Sequence, residues 1–223
     1  MRKTQRLATL GATAALVVTL GACSNSEQPS TAAPSTGAPA TMSAPASAAA
    51  ASTGVTTAAD VFGPSCSALP QGGEPGSLDA MGPQPVATAA STNPLLTTLV
   101  TAVGKVPGLA DTLNAAPALT VYAPVNTAFE KIPADTLNSV LNDQAKLGAL
   151  LSYHVSGTRY DKDGLLAAGT TTELAGGTVK VGGSGDAITL TGGNGQAANV
   201  VCGNIPTSNA TVFAIDSVLM PAS

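Results

Sequence analysis

The stretch Thr120-Val121-Tyr122-Ala123-Pro124-Val125-Asn126-Thr127-Ala128-Phe129 decides the fold of this chain. Its first half is rich in residues that favour extended backbone, and Pro124 ends that run. Asn126 or Thr127 can then cap a helix, and Thr127 with Glu130 three residues later fits a capping box. The stretch therefore predicts a short strand, a turn at Pro124 and the start of a helix.

Two later blocks complete a pattern with this first stretch. They are Leu150-Leu151-Ser152-Tyr153-His154-Val155 and Val212-Phe213-Ala214-Ile215-Asp216-Ser217-Val218-Leu219-Met220-Pro221. In this order and at this spacing the three blocks resemble the fasciclin-type (FAS1) domain, with its Tyr-His block between two signature blocks. The resemblance covers roughly residues 86–221. It implies a single FAS1 domain, built as a wedge of two small β-sheets flanked by helices, and we place this domain at residues 60–223.

The periodicity of the remaining chain agrees with an α+β fold. Asn93-Pro94 is a helix start, and apolar residues then recur at helical spacing up to Gly104. From Thr170 onward the pattern changes to short β-favouring runs separated by glycine-rich turns. Helices first and strands later are typical of the α+β class.

The N-terminus carries the features of an export signal. Three basic residues lie among the first six, and an apolar run of 14 residues, Leu7 to Leu20, follows. The run ends in Leu20-Gly21-Ala22-Cys23, which resembles a bacterial lipobox. We expect residues 1–22 to be a lipoprotein signal peptide and Cys23 to receive the lipid, which anchors the chain on the outer side of the cell membrane. An ordinary signal peptide with an incidental cysteine is the alternative.

Residues 23–59 are rich in Ala, Ser, Thr and Pro and carry almost no charge. Such a composition cannot bury enough apolar area to repay the entropy of ordering, so we predict a disordered tether. Thr56 and Thr57 are candidate O-glycosylation sites within it. An unmodified spacer is equally compatible with this composition.

The cysteine count predicts one disulfide. If Cys23 carries lipid, Cys66 and Cys202 remain as an even pair in an oxidising compartment, and we expect them to be joined. Free thiols are the alternative. Two cysteines and a single histidine do not make a zinc shell, so we expect no metal and no cofactor.

His154 is the only histidine in the sequence. No nucleophile elbow, zinc-binding, Walker or dinucleotide motif accompanies it, so we predict no enzyme and no catalytic residue. A lone histidine after an apolar helix is typically a hydrogen-bonded framework residue. The FAS1 resemblance also implicates the Tyr-His block in adhesion, which makes Tyr153 and His154 candidates for a contact surface.

Asn126 and Asp216 are two further candidates for a binding or a framework role. The Asn126 side chain can satisfy backbone donors at the turn into the helix. Asp216 alternates with apolar residues in a predicted core strand, so its carboxylate needs a partner. The FAS1 family usually has a histidine ahead of this Ile-Asp pair, whereas Phe213 and Ala214 stand here. A ligand role that depends on that histidine is therefore in doubt.

Charge and resemblance together predict what the protein contacts. Without the signal peptide, 6 of the 9 Lys and Arg remain against 13 Asp and Glu, a net charge of −7, which argues against nucleic acid. The chain resembles the fasciclin-type lipoprotein antigens of mycobacteria and related bacteria. This resemblance implies an adhesion protein that binds a matrix or host-surface protein, with innate lipoprotein receptors recognising the acylated end. The alternative is an envelope carrier of a small apolar or glycan ligand, and release of a soluble form is also open.

Overall fold

The computed structural model of the protein describes residues 54–222. The predicted signal peptide, Cys23 and the predicted tether up to residue 53 lie outside the described residues. Within residues 54–222 no single helix is long and apolar enough to cross a membrane. The pair Val86–Thr92 and Pro94–Gly104 has the length and composition to do so but is bent by 97° at its break.

Helices form the first half of the described chain and one later segment. They are α1 (Leu78–Met81), α2 (Val86–Thr92), α3 (Thr97–Gly104), α4 (Leu109–Ala115), α5 (Asn126–Glu130), α6 (Ala134–Asn142), α7 (Gln144–Tyr153) and α8 (Lys162–Ala168). Short 3-10 turns span Ala58–Asp60, Pro64–Ala68 and Pro94–Leu96. Asn93 caps the last of these turns, because its side chain accepts a bond from the Leu95 N–H, as predicted.

The strands form a mixed sheet. They are β1 (Leu119–Pro124), β2 (Val155–Ser156), β3 (Thr170–Thr172), β4 (Thr178–Ser184), β5 (Ala187–Thr191), β6 (Ala197–Pro206) and β7 (Ala210–Ile215). Their order is β2-β1-β7-β6-β5-β4-β3, with β1 and β7 parallel and the other pairs antiparallel. The α+β class is thus confirmed. The two predicted sheets share the long strand β6 and form one seven-stranded sheet. A bridge between Ser156 of β2 and Glu173, just after β3, nearly closes this sheet on itself.

Strands β1 and β7 divide the interior into two cores. Val121 and Ala123 point to one face of β1 and Tyr122 to the other, as the two-residue period of a strand requires. The helical-side core lies under the helices and includes Val86, Leu99, Leu113, Val121, Leu151 and Val212. The sheet-side core lies inside the curved sheet and includes Phe62, Tyr122, Tyr153, Leu165, Ile188 and Phe213.

An arm formed by residues 54–69 packs against β6. Cys66 and Cys202 form a disulfide bond, and Phe62 pairs with Gly203 through two backbone hydrogen bonds. A Cβ atom at Gly203 would lie 2.3 Å from the Phe62 ring, so a glycine is required there. The predicted tether ended at residue 59, whereas Gly54 and Thr56 are already buried against the domain.

Local predictions around the deciding stretch were right in type and wrong in one detail. The strand, the turn and the helix are present, and α7 is followed almost directly by β2. The capping box of Thr127 and Glu130 is not formed, because Val125 is the N-cap of α5 and makes no side-chain capping bond. Asn126 is instead the first residue of the helix, and its side chain turns towards a neighbouring helix. Helix α8 was not predicted.

Candidate functional site

His154 is buried between α7 and the C-terminal segment. Its Nδ1–H donates to the Leu150 carbonyl (2.8 Å), and its Nε2 accepts from the Leu219 N–H (3.0 Å). Burial lowers the pKa of His154 to about 4, although the bond to Leu150 opposes this shift. The ring is therefore neutral, with both nitrogens engaged, and it acts as a framework residue that ties helix α7 to the chain end.

Tyr153 has the same kind of role on the other side of the block. Its side chain is 1% exposed, its hydroxyl donates to the Thr178 carbonyl (2.8 Å), and it accepts from the Gly193 N–H (2.8 Å). It therefore joins α7 to two hairpin turns of the sheet. With Tyr153 and His154 both buried, neither side chain can touch a partner directly, which corrects the expectation of a contact surface made by these two residues.

Asn126 holds the start of helix α3 from across the fold. Its Oδ1 accepts from the Thr98 N–H (3.0 Å) and the Thr97 hydroxyl (3.1 Å), while its Nδ2 donates to the Pro94 carbonyl (3.0 Å). The side chain does satisfy a backbone donor, the Thr98 N–H, but this donor lies at the N-terminus of α3 and not in its own helix α5. No local sequence signal indicates which helix lies next to Asn126.

Asp216 lies just after β7 and is partly buried. Its carboxylate accepts from the Asn199 N–H (2.8 Å) and side chain (3.1 Å) and lies 3.4 Å from Lys131 Nζ. Partial burial would raise its pKa, but the bonds from Asn199 and the charge of Lys131 outweigh this and hold the pKa of Asp216 below its ordinary value. The carboxylate is thus partnered, and Phe213 fills part of the sheet-side core beside Tyr122.

Thr56 and Thr57 differ in accessibility. Thr56 is 6% exposed, so a sugar cannot be attached there in the folded domain. Thr57 is exposed, and its hydroxyl donates to Asp60 (2.7 Å) in a capping box of the first 3-10 turn. The bonds from Thr57 lower the pKa of Asp60. Of the two candidate glycosylation sites, the structure leaves Thr57 available.

Arg159 is a framework residue that sequence reasoning missed. Its guanidinium donates to the carbonyls of Gly54 (3.0 Å), Thr207 (2.9 Å) and Ala210 (2.9 Å) and to the Thr211 hydroxyl (3.1 Å). Burial lowers the pKa of Arg159. It fixes the start of the arm to the β6–β7 turn. An isolated arginine in a loop carries no sequence signal for such a role.

A polar chain inside the sheet-side core was also missed. The Tyr122 hydroxyl lies 2.9 Å from the Thr171 hydroxyl, which donates to Glu173 Oε1 (2.6 Å). Glu173 is 3% exposed, and its Oε2 has no hydrogen-bond partner in the described structure. Burial raises the pKa of Glu173 to about 7, which the Thr171 bond only partly offsets. Burial also raises the pKa of Tyr122.

A cavity of about 200 Å³ lies in the helical-side core, between α2, α3 and α4 on one side and β1, β2 and the end of α7 on the other. We call it the helical-side cavity. Its walls are almost wholly apolar, and small residues form much of its rim, namely Ala87, Ala90, Gly104 and Ala110. Within residues 54–222, no group of three or more His, Cys, Asp or Glu side chains is placed to hold a metal ion.

Together these features define a disulfide-closed α+β domain whose signature residues brace the fold from inside. Comparison with known proteins gives the family. The sequence model of the Fasciclin domain matches residues 94–221, and the chain belongs to this family.

Three relatives show where this chain stands within the family. It is 42% identical over 172 residues to Immunogenic protein MPB70 of Mycobacterium bovis, covering 74% of this chain and 84% of that protein. It is 41% identical over 177 residues to Cell surface glycolipoprotein MPB83 of the same species, covering 74% of each chain. Human Periostin is 34% identical over 104 residues, 47% of this chain and 12% of that protein.

Proposed function

We propose that the protein is a lipid-anchored cell-surface protein whose FAS1 domain binds a matrix component or a host-surface protein. One combined observation carries this proposal. A lipobox-like Leu20-Gly21-Ala22-Cys23 ends the N-terminal apolar run of a chain that is 41% identical to a protein named a cell surface glycolipoprotein. Two acyl chains at Cys23 would give stable anchoring. Innate lipoprotein receptors are the proposed partners of the acylated end.

The adhesive contact, in this proposal, is made by residues just outside the buried Tyr-His block. Leu174 is a large apolar residue that is 51% exposed, and its N–H donates to the Val155 carbonyl (2.8 Å). It therefore stands on the surface beside Val155, the residue that follows Tyr153 and His154 in the chain. Single exposed apolar residues are common on protein surfaces, so Leu174 is proposed as the position to test and not as a defined apolar patch.

Anchoring is tested by metabolic lipid labelling of the wild type and of Cys23→Ala, followed by cell fractionation. Label in the wild type and release of the variant from the envelope are the expected results. If both forms are unlabelled and soluble, the protein is a secreted factor and the anchoring proposal fails. If the wild type takes up label in the envelope and is also found in the medium, a soluble form is shed.

Adhesion is tested separately with the Cys23→Ala chain, in a pull-down from matrix proteins and cell surfaces. A control domain of equal charge measures non-specific binding. Leu174→Asp is expected to lower binding at least tenfold, while Val55→Asp, at another exposed apolar residue, leaves it unchanged. Binding no stronger than that of the control domain would remove the adhesion proposal.

A second candidate function, the carriage of a small ligand, is favoured by the helical-side cavity. A domain that serves only as an adhesive surface has no need of an unfilled apolar space in its core. The two functions are compatible, since the cavity lies under the helices and Leu174 lies at the turn after β3.

A further inference from the structure

We propose that the helical-side cavity binds a single acyl chain and holds about seven of its carbon atoms. The inference rests on the second candidate function and is independent of adhesion. A cavity of about 200 Å³ is unusual in a protein interior, where packing leaves few voids larger than a water molecule. It exceeds the roughly 150 Å³ of an engineered apolar cavity that accepts benzene, a molecule of six carbon atoms. A similar volume for each carbon atom gives the helical-side cavity room for about seven or eight of them.

The space exists because three helices present small residues to it. Ala87 and Ala90 of α2, Gly104 of α3 and Ala110 of α4 line the cavity, where leucine or valine would fill it. Ala87, Ala90 and Ala110 are partly exposed and Gly104 is exposed. The cavity therefore opens to the surface between these helices, and a chain-like ligand can enter there end first.

The walls select an apolar chain over a glycan. Three lining residues have polar side chains, and none of them offers a free polar group to the interior. His154 binds Leu150 and Leu219, and the exposed Ser91 hydroxyl donates to the Thr88 carbonyl. Tyr122 directs its side chain into the sheet-side core, where its hydroxyl contacts Thr171. A sugar would bury hydroxyl groups there without partners, which is costly. An acyl chain requires only apolar contact.

The mouth of the cavity does not select a particular headgroup. Lys105 follows Gly104 and Asp111 follows Ala110, so one charge of each sign stands next to the rim. Both side chains are exposed. A ligand's polar end would remain in water, and the buried chain would supply the affinity.

The first test is a chain-length series. Saturated fatty acids of four to fourteen carbons are titrated calorimetrically into the full chain carrying Cys23→Ala, so that no acyl group of its own competes. Each added methylene should tighten Kd about fourfold while it still enters the cavity. The gain should level off at about eight carbons. No binding, or an affinity that rises without a plateau as in surface adsorption, overturns the proposal.

The second test fills the cavity. Ala90→Leu should weaken the octanoate Kd at least tenfold without lowering Tm, and Ala110→Leu, on a different helix, should do the same. Ala149→Leu makes the same change on the exposed face of α7 and serves as the control. Unchanged octanoate binding in both cavity variants would place the ligand elsewhere and refute the site. The pull-down is repeated on Ala90→Leu, because retained adhesion with lost octanoate binding separates the two functions.

Discussion

The two cores of this domain share strands β1 and β7 but are packed in different ways. The sheet-side core contains the fully buried rings of Tyr122, Tyr153 and Phe213, and the ring centroids of Tyr122 and Phe213 lie 6.3 Å apart. The helical-side core is mainly aliphatic, contains many alanines and borders a cavity of about 200 Å³ that opens between the helices. Alternate residues of the same two strands thus build one filled core and one with space for a ligand.

The difference shows that one domain can contain both a tightly filled core and a core with an apolar cavity. Aromatic rings fill the sheet-side core, and the polar ends of Tyr122 and Tyr153 find partners there, as buried tyrosines require. Small residues on α2 to α4 leave the helical side unfilled. The framework residues therefore hold the shape of the domain, while the helical side keeps an unfilled apolar space.

Loss of the disulfide is expected to have the largest effect, because the arm touches both cores. Phe62 of the arm packs in the sheet-side core and Leu69 in the helical-side core. Cys66→Ser with Cys202→Ser frees a loop with a sequence separation of 136, so we expect the free energy of unfolding to fall by about 2–5 kcal/mol. Urea unfolding measures this. An unchanged midpoint would mean that packing alone holds the arm.

His154→Leu is expected to lower the free energy of unfolding by about 2–4 kcal/mol, because it leaves the buried Leu219 N–H and the partly buried Leu150 carbonyl without partners. Since the folded pKa is about 4 and the ordinary value is 6.5, the wild type loses stability as the pH falls from 6.5 towards 4. In urea unfolding, the free energy of unfolding of the variant should lack this dependence on pH. Well below its Tm it should still bind the adhesion partner, whereas a specific loss of binding would contradict the framework role.

The same substitution in the two cores should have unequal effects. Ala198→Leu overfills the sheet-side core, where Ala198 is fully buried, and should cost about 1–3 kcal/mol. Ala90→Leu enters the helical-side cavity and should be neutral or stabilising. Thermal unfolding of both variants gives the comparison. Equal losses would show that the two cores are packed alike.

The smallest effect is expected at Glu173, where the pH dependence has the opposite sign. With the folded pKa raised to about 7 from 4.5, the folded state keeps a proton that the unfolded chain releases, so stability falls as the pH rises through this window. Glu173→Gln should raise the free energy of unfolding by about 1–2 kcal/mol at pH 8 and change little at pH 4. Glu130→Gln, at an exposed glutamate, is the control. An equal gain at both pH values would contradict the explanation.

Much of the fold could be predicted from local signals. Pro124, the Asn93 cap and the change of period at Thr170 located the turn between β1 and α5, the helix that ends at Gly104 and the later strands, because these signals act over a few residues. The Thr127 capping box failed because Val125 is the N-cap of α5, so the helix starts two residues earlier than that box requires. Helix α8 was missed between two segments that carried stronger patterns.

The candidate residues are hydrogen-bonded in the structure, but their roles depend on distant partners. The sequence indicated that Asn126, His154 and Asp216 would be hydrogen-bonded, since buried polar groups need partners. It could not indicate that Asn126 holds α3, or that an arginine without a motif, Arg159, fixes the arm. These contacts join residues far apart in the chain.

By itself, the sequence determined the class and the family, together with the prediction of an exported, anchored chain, because these follow from composition, order and local propensity. Only the tertiary structure decided that the Tyr-His block is buried and that Glu173 is enclosed with one unpartnered oxygen. It alone revealed the helical-side cavity, because the volume left between helices depends on how side chains from several segments meet. Packing is a property of all those segments together, and no single stretch of sequence specifies it.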